Sequence, residues 1–132
     1  MGAWGTRPFD NDSAGDFLDA LFEGGLDVIE DAFDHVLDAG EEDLEAPTAE
    51  EAIAAAAIVA RLKVGAPFSG EVEIEAWIAQ AQPAASPELI AKARASLQRI
   101  MTAPSELLDL WQEAEEFPEF QAGIAALLRR LG

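Results

Sequence analysis

The chain has 132 residues, no cysteine, and a formal charge of −18 from 26 acidic and 8 basic side chains. This length predicts one domain, residues 1–132, whose core is large enough to need no metal or disulfide. The lack of cysteine excludes disulfides, thiolate zinc sites and cysteine nucleophiles. The negative charge argues against nucleic acid and anionic membrane as partners. The most apolar window, 52–60, is much shorter than the roughly 20 residues of a membrane span, and no signal peptide opens the chain, so we expect a cytoplasmic protein.

The acidity is unevenly distributed. Residues 1–50 hold 15 acids and one base, whereas residues 51–132 hold 11 acids and 7 bases. A negative field of this kind attracts a basic partner. A surface that only serves solubility, or adaptation to a salty cytoplasm, explains the same charge without any partner, and the sequence leaves both explanations open.

The first twelve residues contain two glycines, a proline and two aromatic residues, which together predict an ordered segment packed on the rest of the chain. The structural motif of this region comprises Trp4, Arg7, Phe9, Asn11, Asp12 and Asp16. We expect Trp4 and Phe9 to be buried anchors of the segment.

Several short motifs resemble a known family. They are Gly2-Ala3-Trp4-Gly5, Phe9, Asn11-Asp12, Ala14, Asp16-Phe17, Leu44-Glu45-Ala46-Pro47, Ser105-Glu106-Leu107 and Leu110-Trp111. Together they resemble the bacterial domain-of-unknown-function family numbered 4259. The resemblance spans most of the chain and implies a small helical fold, but it implies no activity because that family has none established.

Two helices are predicted in the acidic part of the chain. The first follows the capping residues Asn11, Asp12 and Ser13 and ends at Gly24-Gly25. The second, over 26–39, has its apolar residues on one face of a 3.6-residue period and ends at Gly40. The two form an acidic helical hairpin over 13–40.

The remaining helices are predicted over 48–132. Thr48 and Glu51 have the spacing of a capping box, and the window 52–60 is apolar on all sides, which predicts the buried centre of a bundle. Residues 70–81 begin with the alternation of a strand, but a lone strand is unstable, so we favour a short helix there. Further helices are predicted to start near Pro87, Ser105 and Pro118. The predicted fold is all-α, a single compact bundle of six to seven short helices with the ordered segment 1–12 packed on it.

The run Asp10 to Asp16 begins like a calcium-binding loop, with acids at the first and third positions and glycine at the sixth. Its fifth position is Ala14 and its twelfth is Leu21, so two required oxygen ligands are missing. We therefore interpret the run as a helix cap that Arg7 partly neutralises, and we predict no metal and no cofactor.

The second helix carries a row of carboxylates at offsets of four, seven and eleven. The row consists of Asp27, Asp31, Asp34 and Asp38, with Glu30 beside it. This spacing places the row on one face of the helix, opposite its apolar residues. A solvated face, a docking surface for a basic partner and a cation site are the three possible interpretations. A stripe of Lys92, Arg94 and Arg99 is expected to offset part of the acidity, either within the molecule or across a dimer.

No catalytic constellation is recognisable. His35 is the only histidine, and neither a nucleophile elbow nor a phosphate-binding loop accompanies it. Trp77 and Trp111 have helical spacing that favours core packing over a ligand pocket. We therefore expect no enzyme and no catalytic residues.

Three functions remain. The first is a non-enzymatic protein that docks a basic protein through its acidic N-terminal half, as an inhibitor or immunity-type antagonist does. The second is a structural or stress-related acidic protein without a dedicated partner, and the third is a divalent-cation-binding protein or enzyme that uses its carboxylate clusters. The choice between monomer and homodimer stays open.

Overall fold

A computed structural model describes residues 5–66 and 71–132, and every regular element within them is an α-helix. The helices are α1 (Asp12–Gly24), α2 (Leu26–Leu37), α3 (Ala46–Val64), α4 (Val72–Ala81), α5 (Pro87–Ile100), α6 (Glu106–Gln112) and α7 (Phe117–Leu131). They pack as an all-α bundle, which confirms the predicted fold class. Helix α4 also confirms the preference for a helix over a strand, in the described part of the range 70–81.

Helix α3 is the centre of the bundle and packs against α1, α2, α5, α6 and α7. All residues of 52–60 are buried, as their uniform apolarity predicts. Most of them are alanines, and these short side chains let five neighbouring helices approach the same backbone. The apolar faces of the outer helices therefore share one continuous core.

Side-chain caps start three helices where the sequence predicts them. The Asn11 side chain accepts a hydrogen bond of 2.8 Å from the amide of Ala14, and Ser86 and Ser105 cap α5 and α6 in the same way. The predicted capping box at Thr48 is wrong, since α3 already begins at Ala46. Pro47 fits the first turn because it needs no amide partner there.

A tertiary contact completes the start of α3. The carboxylate of Glu106 accepts a hydrogen bond of 2.8 Å from the amide of Ala46, 60 residues earlier in the chain. The acceptor for the first turn of α3 therefore comes from the first turn of α6 and not from a neighbouring residue.

The described part of the N-terminal segment is attached to the bundle. Phe9 is partly buried against the core, Asn11 is 8% exposed, and Arg7 forms an ion pair of 3.2 Å with Asp10. Arg7 thus neutralises one acid of the run that starts α1, as expected. Trp4, the other predicted anchor, lies outside the described residues.

Arg99 joins two loops at one end of the bundle. Its guanidinium donates hydrogen bonds of 2.7–2.9 Å to the carbonyl oxygens of Gly40, Glu42, Thr102 and Pro104. Beside it, Leu44 and Ser105 form an isolated parallel bridge. We call this arrangement the Arg99 clamp; it fixes the loop after α2 to the loop after α5.

Other basic residues also hold helices in place. Lys63 and Arg94 donate to the last carbonyl groups of α7, at Leu131 and Leu128, where a helix favours positive charge. Arg61 on α3 forms two hydrogen bonds, of 2.8 and 2.6 Å, with the carboxylate of Glu75 on α4. This pair and the buried Ile74 attach α4 to the bundle.

Candidate functional site

The carboxylate row of α2 lies opposite the face that α2 buries. Ile29, Ala32, Phe33 and Val36 are buried against the bundle, whereas Asp27, Glu30, Asp31 and Asp38 are exposed and Asp34 is partly exposed. The helical spacing in the sequence therefore places the row correctly.

Helix α1 carries a second row that the sequence interpretation overlooked. Its members are Asp12, Asp16, Asp19 and Glu23, all of them exposed. Their offsets of four, seven and eleven are the same as in α2, and they lie opposite the buried residues Ala14, Phe17 and Leu21. The repeated spacing was the signal by which this row could have been found. We refer to the two rows together, including Glu30, as the acidic hairpin.

Lys92 is the basic residue that reaches the acidic hairpin. Its ammonium group lies 2.8 Å from Asp34 and 3.4 Å from Glu30. The hydrogen bond with Asp34 is the main cause that raises the pKa of Lys92 above its ordinary value. Of the expected stripe on α5, Lys92 therefore pairs with two of the five carboxylates proposed for α2, whereas Arg94 and Arg99 donate to backbone carbonyl groups.

Most of the other basic residues in the described part of the chain bind away from the acidic hairpin, and Arg129 and Arg130 are exposed on α7. Arg61, Lys63, Arg94 and Arg99 are occupied elsewhere in the bundle, and Arg7 pairs with Asp10. Across residues 5–66 and 71–132, the α1 row and Asp27, Asp31 and Asp38 of α2 form no ion pair. Seven exposed carboxylates on two adjacent helices therefore have no ion-pair partner in this part of the chain.

Two further acids lie at the base of the hairpin, in the first turns of α3. Glu50 is 8% exposed, and the hydroxyl of Ser13 donates a hydrogen bond of 3.4 Å to it. Burial raises the pKa of Glu50 above its ordinary value of 4.5. Burial also raises the pKa of Glu51; His35 opposes this change and Asp16 adds to it.

A groove of about 250 Å³ lies between α1 and α4. It is lined by Phe22, Glu73, Ala76, Trp77 and Gln80. Trp77 is only partly buried, so the expectation that it belongs to the core holds in part. Trp111, by contrast, is 6% exposed and stacks on Phe120 with ring centroids 5.1 Å apart, as a core residue does.

A second cleft, of about 320 Å³, separates the N-terminal segment from α7. Arg7 and Arg130 line it together with Asp10 and Glu71, so positive and negative charges balance there. The apolar residues Phe9 and Leu127 also contribute to its walls.

The structure offers no support for a metal centre or a membrane span in the part that it describes. No three histidine, aspartate or glutamate side chains of residues 5–66 and 71–132 are grouped to hold a metal ion. Within the same residues, no helix combines the length and the apolar composition needed to cross a bilayer.

The comparisons with known proteins give one match. The family described as "Domain of unknown function (DUF4259)" matches residues 2–123, which is most of the chain. The chain therefore belongs to this family, and the resemblance of its short motifs is confirmed. No curated protein and no solved structure matches the chain.

Proposed function

We propose that this member of the DUF4259 family is a non-enzymatic binding protein that docks a basic protein surface through its acidic hairpin, as an inhibitor or immunity-type antagonist does. The observation that carries the proposal is a set of seven exposed carboxylates that form no ion pair within residues 5–66 and 71–132, on helices whose opposite faces are buried. A basic partner supplies positive charge to these carboxylates.

The arrangement suits fast and selective association. Charges on the rim of an interface mainly raise the rate of encounter and exclude partners of the wrong sign. Leu37, at the end of α2, is 37% exposed at one edge of the carboxylate row. It provides an apolar contact beside the charged surface, which a stable complex needs in addition to long-range attraction.

Helix α2 also indicates which residues to change. Asp34 is tied to Lys92, so its replacement would alter the bundle as well as the surface. Asp27 and Asp31 are exposed and unpaired, and their replacement changes the surface alone. The double variant Asp27→Lys/Asp31→Lys is therefore the appropriate test, and Glu115→Lys/Glu119→Lys, on exposed residues near the start of α7, is a control with the same change in charge.

The experiment compares the three proteins as baits in lysate of the native cell, at low and at high salt. We expect a basic protein that the parent and the control retain and that Asp27→Lys/Asp31→Lys loses. Its association rate with the parent should fall steeply with salt, and the double variant should flatten this dependence. Equal retention by all three baits would contradict the proposal.

A further inference from the structure

The groove between α1 and α4 has the composition of a binding site for a cationic side chain. We call it the aromatic groove, lined by Phe22, Glu73, Ala76, Trp77 and Gln80. We propose that it receives one arginine or lysine side chain of the basic partner, which makes it the specific contact within a broad electrostatic surface. The inference rests on the proposed function, because it assigns this partner's anchor.

The groove is built from two helix faces. Glu73, Ala76, Trp77 and Gln80 follow one another at offsets of three, four and seven, so they share one face of α4. Phe22 stands opposite them at the end of α1. Between two large aromatic residues, the single methyl group of Ala76 leaves the space that the groove occupies.

The electrostatics of the groove fit a cation. Among the described residues that line it, Glu73 is the only charged one, and it is exposed. Phe22 and Trp77 are both partly exposed, so their rings are accessible from the groove. The face of an aromatic ring attracts an ammonium or guanidinium group, and tryptophan does so most strongly. A carboxylate and two aromatic rings around an open groove therefore favour a long side chain that ends in a positive charge.

The aromatic groove is continuous with the acidic hairpin. Asp19 lies one helical turn before Phe22, and Glu23 follows it directly. A basic segment that runs along the α1 row therefore reaches the groove at the end of that row. Elsewhere the hairpin offers carboxylates in water, which hold a cation only weakly, so the groove is the place where one particular side chain is distinguished from others.

The test uses hexa-arginine as the probe and ¹⁵N-labelled protein in nuclear magnetic resonance. The chain has three tryptophans, and a Trp77→Phe variant identifies the indole N–H signal of Trp77. We expect hexa-arginine to shift this signal and the amide signals of α4 in a saturable way. Hexa-citrulline, which has the same shape without charge, should shift neither.

Two variants measure the contribution of the groove. Trp77→Leu removes the aromatic face and should weaken hexa-arginine binding about two- to fivefold. Glu73→Gln should also weaken it, whereas Glu115→Gln, the same change at a distant exposed site, should have a smaller effect. Because Glu73 is exposed, its variant remains folded even if Trp77→Leu lowers stability, and circular dichroism checks both.

The outcomes separate the two proposals. If only α1 and α2 amides respond to hexa-arginine, or if Glu73→Gln and Glu115→Gln weaken binding equally, the groove is not the anchor, while the acidic hairpin remains a docking surface. If the Trp77 signal responds but Asp27→Lys/Asp31→Lys leaves the affinity for hexa-arginine unchanged, the groove is a binding site and the acidic hairpin is not a docking surface. If no signal responds, both proposals are wrong.

Discussion

Helices α2 and α3 are neighbours in the chain, but the bundle constrains them differently. Residues 52–60 of α3 are buried on every side, and alanine dominates because larger side chains would separate the surrounding helices. Helix α2 buries only one face, and its other face carries carboxylates that contribute little to the packing. The packing thus fixes the composition of α3 and leaves that of the outer face of α2 to other requirements.

This difference suggests where to look for function. Like charges one turn apart destabilise a helix by a few tenths of a kcal/mol per pair, so the rows of α1 and α2 are slightly unfavourable for the fold. These carboxylates occupy exposed or partly exposed positions whose residue type the packing does not determine. The four experiments that follow test this division between constrained and free positions.

The largest effect is expected from overpacking of α3. Ala55→Leu introduces three carbon atoms at a residue with no exposed surface and should lower the free energy of unfolding by about 2–3 kcal/mol. Ala122→Leu, on the exposed side of α7, should change it by less than about 0.5 kcal/mol. Urea unfolding measures both. Equal stabilities would show that α3 is not the tightly packed centre.

The next test concerns the loop between α2 and α3, which the Arg99 clamp holds in place. Arg99→Ala removes four hydrogen bonds to carbonyl groups and should lower the free energy of unfolding by about 2 kcal/mol. Arg129→Ala removes an exposed arginine of α7 and serves as the control. If the free energy of unfolding falls by a similarly small amount in both variants, water replaces the hydrogen bonds of Arg99 at no cost in stability.

A smaller effect is expected at Glu50, the buried carboxyl of α3. Its pKa is raised by burial, so the folded protein holds the proton more tightly than the unfolded chain does. The contribution of Glu50 to stability therefore falls as pH rises from the ordinary value of 4.5 towards the raised pKa, and it stays unfavourable above that pH.

Glu50→Gln removes this penalty and keeps a partner for Ser13. The variant should be more stable than the parent at pH 7, and its advantage should diminish as the pH falls through the raised pKa towards 4.5. Thermal unfolding of both proteins from pH 3.5 to 7.5 gives the difference in stability between variant and parent at each pH. The effects of the other acids cancel in this difference. A difference that does not vary with pH would contradict the assignment.

The smallest effect is expected on the free face of α2. Asp31→Asn relieves repulsion by Asp27, one turn away, and should change the free energy of unfolding by no more than about 0.5 kcal/mol, in the stabilising direction. Asp34→Asn loses its ion pair with Lys92 and should be less stable than Asp31→Asn. The reverse order in urea unfolding would show that Asp31 has a structural role.

Local sequence patterns predicted most of the helices and the orientation of the α2 row. Periodicity and caps at Ser86 and Ser105 are local signals, and these predictions succeeded. The start of α3 at Ala46 could not be predicted in this way, because Glu106 completes it from 60 residues away. The burial of Glu50 and the pairing of Lys92 with Asp34 likewise depend on helices that meet only in the folded chain.

The Arg99 clamp has a consequence for the order of folding. It joins residues up to 59 positions apart, whereas α1 and α2 meet across a turn of a single residue. Contacts between distant residues require the closure of a long loop and tend to form late. The acidic hairpin can therefore assemble early. Loss of the clamp should mainly accelerate unfolding, because Arg99 stabilises the native bundle and contributes little to the transition state of folding.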